Sequence, residues 1–312
     1  MHAPVPQTIA SPVPSKALPV AALLIANVAL AFGPWFVRLA DVGPVAAGFW
    51  RIALAVPVLL GAATLLGQAP FRQARGLWGV LALGGLAFAA DLASWHVGIH
   101  RTVLANATLF GNAATLIFPI YGFVVARMWP TRMQGVALGM AAVGAALLMG
   151  RSAQLSPQNL IGDLFCLAAG VLYAVYFVTM ARARETMAPL PALALSSLLG
   201  TLPLLFAALA LGERVLPGNW TPLIALAVVS QLVGQGLMIY ALGHLSPLVV
   251  GIALLVQPVV AGAIGWIAYD ERLGAPDFAG AALVAVALVL VRRGSDAPQP
   301  LEPAGAGDHK EA

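Results

Sequence analysis

The run LPVAALLIANVALAFGPWFVRLA, from Leu18 to Ala40, decides the fold. Its one charge is Arg38, near its end, and as a helix rising about 1.5 Å per residue it crosses the roughly 30 Å of hydrocarbon in a bilayer. It reads poorly as a cleavable leader, being of spanning length and followed at once by further apolar runs. The rest of the 312-residue chain repeats the pattern: 61% of residues are hydrophobic and 9% charged, and the mean hydropathy is +0.91. Sixteen Lys/Arg and twelve Asp/Glu are too few to cover a soluble protein of this size. The basic balance, pI near 9.6, comes without any Lys/Arg run on one face, which argues against nucleic acid as a partner. The single cysteine, Cys166, has no partner for a disulfide and no metal-ligand spacing around it.

Windows of roughly 17 to 25 apolar residues occur ten times, at about 18–40, 44–66, 76–99, 103–126, 132–150, 160–181, 188–211, 220–243, 246–268 and 275–292. The expected fold is an all-α integral membrane protein with ten transmembrane helices. Barrel strands are about 10 residues long with alternating polarity, which these runs lack. Residues 1–17 and 294–312 are polar or Pro/Gly-rich and read as disordered tails. Lys16, Arg72, Arg75, Arg127, Arg132, Arg182, Arg184, Arg292, Arg293 and Lys310 fall on the side of the N-terminus; Arg38, Arg101, Arg151, Arg214 and Arg272 fall opposite. Positive loops stay inside, so both termini are expected in the cytoplasm and the chain in the plasma (inner) membrane as a multi-pass protein. Trp78, Trp129 and Trp220 fall near span ends, where indoles favour the interface.

A shift of 143 residues lays Ala26-Asn27-Val28 on Ala169-Gly170-Val171, and one residue further His100 and Leu104 fall on His244 and Leu248. Span positions and loop lengths match at nearly the same shift, so 18–150 and 160–292 read as two five-helix repeats. An odd-helix unit enters the membrane from the opposite side in its second copy. The repeats are therefore inverted, the arrangement from which alternating-access transporters are built.

Tyr240 to Leu248 (YALGHLSPL), Gln257-Pro258-Val-Val and Asp270-Glu271-Arg272-Leu, with Trp50-Arg51 and Thr102 to Leu109 (TVLANATL) in the first half, resemble the EamA-type transporters of the drug/metabolite transporter superfamily. The resemblance covers nearly all of 18–292. It implies ten helices in two repeats and movement of small metabolites, amino acids or drugs. The chain departs from the family at Thr115, where a proline is usual, and at Met128, where a glutamate is usual.

Few polar groups lie inside the spans, and each is a candidate. Arg51, about seven residues into helix 2 and so roughly 10 Å below the outer surface, is matched with Glu271 at the end of helix 9 as an outer-gate ion pair or a framework pair. Asp91, about 12 Å from the outer end of helix 3, is the first candidate for proton coupling, or a carboxylate satisfied by its neighbours. Trp95 shares its stripe, and His96 with His100 forms another. Thr108, Asn112 and Thr115 make a mid-depth polar stripe on helix 4; Gln231 and Gln235 make one on helix 8; Gln257 stands on helix 9. These face either one central cavity or neighbouring helices. Tyr173 and Tyr176 are aromatic wall candidates. Pro119 and Pro258 are hinge candidates, or prolines simply tolerated in membrane helices; Pro258 frees a backbone carbonyl one turn earlier.

These features favour a secondary transporter that exports small organic metabolites, amino acids or related amphipathic solutes. No P-loop, HExxH or GxSxG occurs, and no cofactor or metal is called for. The alternatives are an intramembrane enzyme, which needs a matched catalytic pair, and a membrane sensor or scaffold, which normally appends a soluble domain. Expected partners are the lipid bilayer, a small-molecule substrate and protons as coupling ion. Gly135 and Gly139 permit close packing or a weak homodimer in place of a monomer.

Overall fold

In lipid every backbone N–H and C=O must be satisfied within its own segment, so long apolar runs become helices. The computed structural model describes residues 17–114, 156–245 and 256–295, with scattered positions between them. The regular elements among the described residues are all helices, without strands. The helices are α1 (Ala17–Ala31), α2 (Gly33–Leu39), α3 (Pro44–Leu65), α4 (Pro70–Gln73), α5 (Trp78–Ile99), α6 (Leu104–Gly111), α7 (Pro157–Arg184), α8 (Pro189–Ala210), α9 (Thr221–Ala225), a π-helical segment (Leu226–Gln235), α10 (Gly236–Leu242), α11 (Val256–Tyr269) and α12 (Ala275–Ser295).

Among the described residues, six spans are long and apolar enough to cross a membrane: Ala17–Leu39, Pro44–Leu65, Trp78–Ile99, Pro157–Arg184, Pro189–Ala210 and Thr221–Leu242. Much of the expected runs at 103–126, 132–150 and 246–268 lies outside the described residues. The first span breaks at Phe32, just before Gly33-Pro34, because proline suits the first turn of a new helix better than the interior of an old one. α7 starts three residues earlier than its apolar run. There Ser156 Oγ accepts the Asn159 N–H at 3.1 Å and Pro157 opens the helix, a start signal read from polar residues.

Packing follows a regular scheme. α7 lies along α5 and α6, while α1 lies along the π-helical segment, α10 and α11; α3 packs on α8, and α6 on α11. α5 and α8 approach closely where Gly85 meets Gly200: a Cβ on Gly85 would stand 2.5 Å from Ser196 O, and one on Gly200 2.8 Å from Gly85 O. Gly85→Ala is therefore expected to destabilise the protein by about 1–3 kcal/mol. Gly61→Ala, on α3 with nothing within 4 Å of the added Cβ, is expected to be neutral or slightly stabilising. Unfolding of both variants in mixed detergent micelles measures the contrast.

At the end of the bundle bearing the 39–44 loop, the 210–221 loop docks on the start of α3. Glu213 accepts the Val45 and Ala46 N–H groups at 3.3 and 2.8 Å, satisfying donors that the helix start leaves open, and the Trp50 indole donates to Val215 O at 2.7 Å. Asp41 accepts the Gly218 and Asn219 N–H groups at 2.7 and 3.3 Å. The Gly218 bond, more than the Arg214 charge, holds its carboxyl below the usual carboxylate range. A depressed carboxylate contributes stability above about pH 4 and loses it as pH falls further. Asp41→Asn is thus expected to lower the melting temperature slightly at pH 7, with the gap to wild type closing below about pH 4.

Candidate functional site

α3 presents Arg51 inward, beside the buried Ile52 and Ala55, so the residue is 2% exposed. Its Nε donates to Gln231 Oε1 at 3.0 Å, and the Gln231 amide donates onward to Ser197 Oγ at 3.2 Å. The guanidinium carbon stands 5.8 Å from the Phe88 ring centre and 6.0 Å from that of Trp95, within range of their negative faces. Asp91, one turn from each of these rings on α5, lies in electrostatic range of Arg51.

A cavity of about 30 Å³ lies at this point, lined by Arg51, Asp91, Asn112, Tyr173, Gln235 and Gln257 among others, with Phe88 and Trp95 as walls. That volume admits water or a small head group; whole ligands occupy roughly 300–1,000 Å³. Tyr173 donates to Gln235 Oε1 at 3.1 Å, and Phe88, Tyr173, Tyr176 and Phe177 stack behind it. Gln231 and Gln235 both stand on the π-helical segment, whose wider i→i+5 bonding replaces the α-helix expected there; such turns recur at functional sites.

Gln257 ties three spans together. Its Nε2 donates to Asn27 Oδ1 at 2.8 Å and its Oε1 accepts from Asn112 Nδ2 at 3.2 Å. Asn27 Nδ2 in turn donates to Leu23 O at 2.8 Å. Pro258 sits in the first turn of α11, where its missing N–H disturbs no interior hydrogen bond. The carbonyl four residues before it, Leu254 O, receives Gln257 N at 3.1 Å and, at a long 3.4 Å, Asn112 Nδ2.

Other candidates make contacts away from the cavity's polar groups, and among the described residues His96 Nε2 and Tyr176 Oη have no hydrogen-bond partner. Thr108, though on the cavity wall, donates to Leu104 O and Ala105 O of its own helix. Trp95 Nε1 donates to Ala107 O at 2.9 Å, and His96 Nδ1 lies 3.0 Å from Pro44 O. Tyr176 is fully buried behind the cavity. Thr115 and Pro119 lie outside the described residues.

The expected Arg51–Glu271 pair is replaced by two separate arrangements. Glu271 Oε1 takes Arg38 Nη1 at 2.5 Å, and its Oε2 accepts the Leu104 N–H at 2.8 Å, at the start of α6. Arg38 also donates to Ile99 O at 3.2 Å and to Thr102 O at 2.5 Å. Thr102 Oγ1 donates to Asp163 Oδ1 at 2.5 Å, extending the network to α7. The reason is positional. Arg38 stands in the last turn of α2, level with the loops at 99–104 and 269–275, whereas Arg51 lies deeper and faces the interior. Asn27, Ser197, Phe88, Arg38 and Asp163 are the contributors that the linear reading did not select. A lone amide or carboxylate in an apolar run was the available signal for Asn27 and Asp163.

Residues 160–293 match the model of the EamA-like transporter family. That segment, a little under half of the chain, resembles an EamA-like transporter domain. Two uncharacterized transporters of Archaeoglobus fulgidus are similar to this chain. One is 27% identical over 65% of this chain and 72% of its own; the other is 24% identical over 78% and 84%. A solved crystal structure superposes on this chain with a TM-score of 0.64 at 16% identity, covering 88% of this chain and 96% of its own. That likeness concerns the fold alone.

Proposed function

We propose that the protein is a secondary transporter that exports small organic metabolites, amino acids or related amphipathic solutes, by alternating access. The reading takes the chain as ten transmembrane helices in two inverted repeats, 18–150 and 160–292, in the plasma membrane with both termini cytoplasmic. One observation carries it: polar side chains of both halves, Arg51, Asp91 and Asn112 from the first and Tyr173, Gln235 and Gln257 from the second, line one buried cavity. Polar groups at such depth are costly unless they serve each other or a solute.

The packing scheme supports the repeat. The first helix of one half lies on the third and fourth spans of the other, in both directions: α1 on the segment 221–242 and on α11, and α7 on α5 and α6. Repeat mates also pair directly, α3 with α8 and α6 with α11, as a two-fold axis in the membrane plane requires. In this orientation the Arg38–Glu271 and Asp41–Gly218 contacts lie on the outer side, and the solute chamber is closed outward.

Proteoliposomes loaded with a mixed panel of isotope-labelled amino acids, organic acids, amines and sugars test the reading. Protein-dependent release of a subset is expected. Release equal to that of protein-free vesicles for every solute contradicts it. Repeating the assay with an imposed pH gradient, for wild type and Asp91→Asn, decides whether protons drive the cycle through Asp91. A wild-type flux indifferent to the gradient excludes that coupling.

A further inference from the structure

The two ends of the bundle are held by different chemistry. On the outer side, in the orientation proposed above, carboxylates join the two halves. Glu271 of the second half takes Arg38 and the Leu104 N–H, and Glu213 takes the Val45 and Ala46 N–H groups at the start of α3. Asp41 of the first half takes the Gly218 N–H, and Asp163 of the second takes the Thr102 hydroxyl.

The repeat supplies counterparts on the inner side, and there the acids are replaced. α8, the mate of α3, begins where the Ala188 N–H donates to the neutral amide oxygen of Gln73 at 2.8 Å. Arg184 stands in the last turn of α7 as Arg38 stands in that of α2, but it donates to Ile239 O at 3.3 Å and to Met187 O, both carbonyls of its own half. The position that a shift of 143 lays on Glu271 is Met128, between Arg127 and Trp129. No other acid is at hand: apart from the interior Asp91, every Asp and Glu from residue 17 to 295 falls on the outer side in this orientation except Glu185, which is exposed.

The difference has an energetic direction. Hydrogen bonds to ionised groups are roughly twice as strong as neutral ones, and the Arg38 and Glu271 side chains are 14% and 13% exposed, so water screens them little. Separating the halves on the outer side breaks these charged contacts. Separating them on the inner side breaks the Gln73 amide bond and leaves Arg184 with its carbonyls. Equal gates in an inverted repeat leave the two open states close in energy; unequal gates bias the population.

We infer that the carboxylate contacts make the outer gate a latch, so that the resting protein opens preferentially to the inner side, where a solute for export loads. This rests on the transport reading above. It assigns Glu213 and Glu271 to conformational control, away from solute binding.

The test compares the two faces of the membrane. Gln235→Cys in a Cys166→Ala background places a thiol on the cavity wall, and Arg272→Cys in the same background, at a side chain 81% exposed beside Glu271, marks the face that carries the latch. Labelling rates with a small membrane-impermeant methanethiosulfonate are measured in right-side-out and in inverted vesicles. The cavity thiol is expected to react at least about tenfold faster from the face opposite the marker, because a bond to a charged group exceeds a neutral one by about that factor in an equilibrium constant. Equal rates, or faster labelling from the marked face, overturn the inference and leave the transport reading intact. No labelling from either face of folded protein removes both.

Two changes move the latch without removing an acceptor. Glu213→Gln combined with Glu271→Gln discharges the outer side; Gln73→Glu charges the inner one. Each is expected to raise labelling of the cavity thiol from the marked face and to lower it from the opposite face, shifting the ratio of rates by about tenfold. A parallel rise from both faces means a loosened bundle, and an unchanged ratio means ordinary helix caps; either result overturns the latch. Should the double change fail to fold, Gln73→Glu and the ratio for the unaltered latch decide.

Discussion

Glu271→Ala is expected to lower the stability of the protein by about 3–5 kcal/mol, the usual result of removing one member of a buried ion pair. The two side chains are 14% and 13% exposed, so water screens them little. The carboxylate does two jobs at once. One oxygen neutralises Arg38, and the other accepts the N–H of Leu104 where α6 begins without a side-chain cap of its own. Its loss strands a guanidinium held between backbone carbonyls and a helix start facing nothing. Glu271→Gln keeps an acceptor for Leu104 and should lose less. The double change Arg38→Met with Glu271→Leu should recover much of the difference, because replacing both partners by apolar groups removes the stranded charge. SDS-driven unfolding of the four proteins measures the cycle. A loss below about 1 kcal/mol for Glu271→Ala identifies an ordinary screened surface pair instead.

Gln257→Leu is the second large effect, expected at about 2–5 kcal/mol. The change leaves Asn27 Oδ1 and Asn112 Nδ2 without the amide that joined them, and each unmet buried polar group costs about 1–3 kcal/mol. Asn27 is wholly buried and Asn112 is 9% exposed, so water does not compensate readily. Adding Asn27→Leu should restore part of the loss by removing one stranded group. The same unfolding assay applies. Membrane interhelical hydrogen bonds measured by double-mutant cycles average only about 0.6 kcal/mol, because the unfolded helices find other partners in lipid. A Gln257→Leu loss of that size places this amide chain in that class and removes its role as a clamp joining α1, α11 and the end of α6.

The membrane class and six of the spans were legible in the linear pattern because hydrocarbon thickness sets one length and demands one kind of side chain. The polar stripes were legible for a related reason: Asp91, Asn112, Gln231, Gln235 and Gln257 stand out in apolar runs whatever their partners. Partner choice was not legible. Depth along a helix suggested Arg51 for Glu271, but rotation about the helix axis turns Arg51 to the interior and leaves Arg38, at the helix end, to meet the loops. The π-helical turns at Leu226–Gln235 also escaped, since no proline interrupts them and a single glycine, Gly234, near their end is no signal for wider turns; they sit packed against α1 and α3. Asn27 was visible only as part of a repeat match; its bond to Gln257 spans 230 positions of sequence, beyond any local rule.

The most direct test of the central cavity is its reach from water on both sides of the membrane. Gln235→Cys in a Cys166→Ala background gives the chain a single thiol, placed on the cavity wall. Labelling by a small membrane-impermeant methanethiosulfonate in right-side-out and in inverted vesicles is expected from both faces, as the chamber opens to each in turn. A thiol that stays unlabelled from both faces, in protein that remains folded, contradicts a shared solute chamber and the transport mechanism built on it.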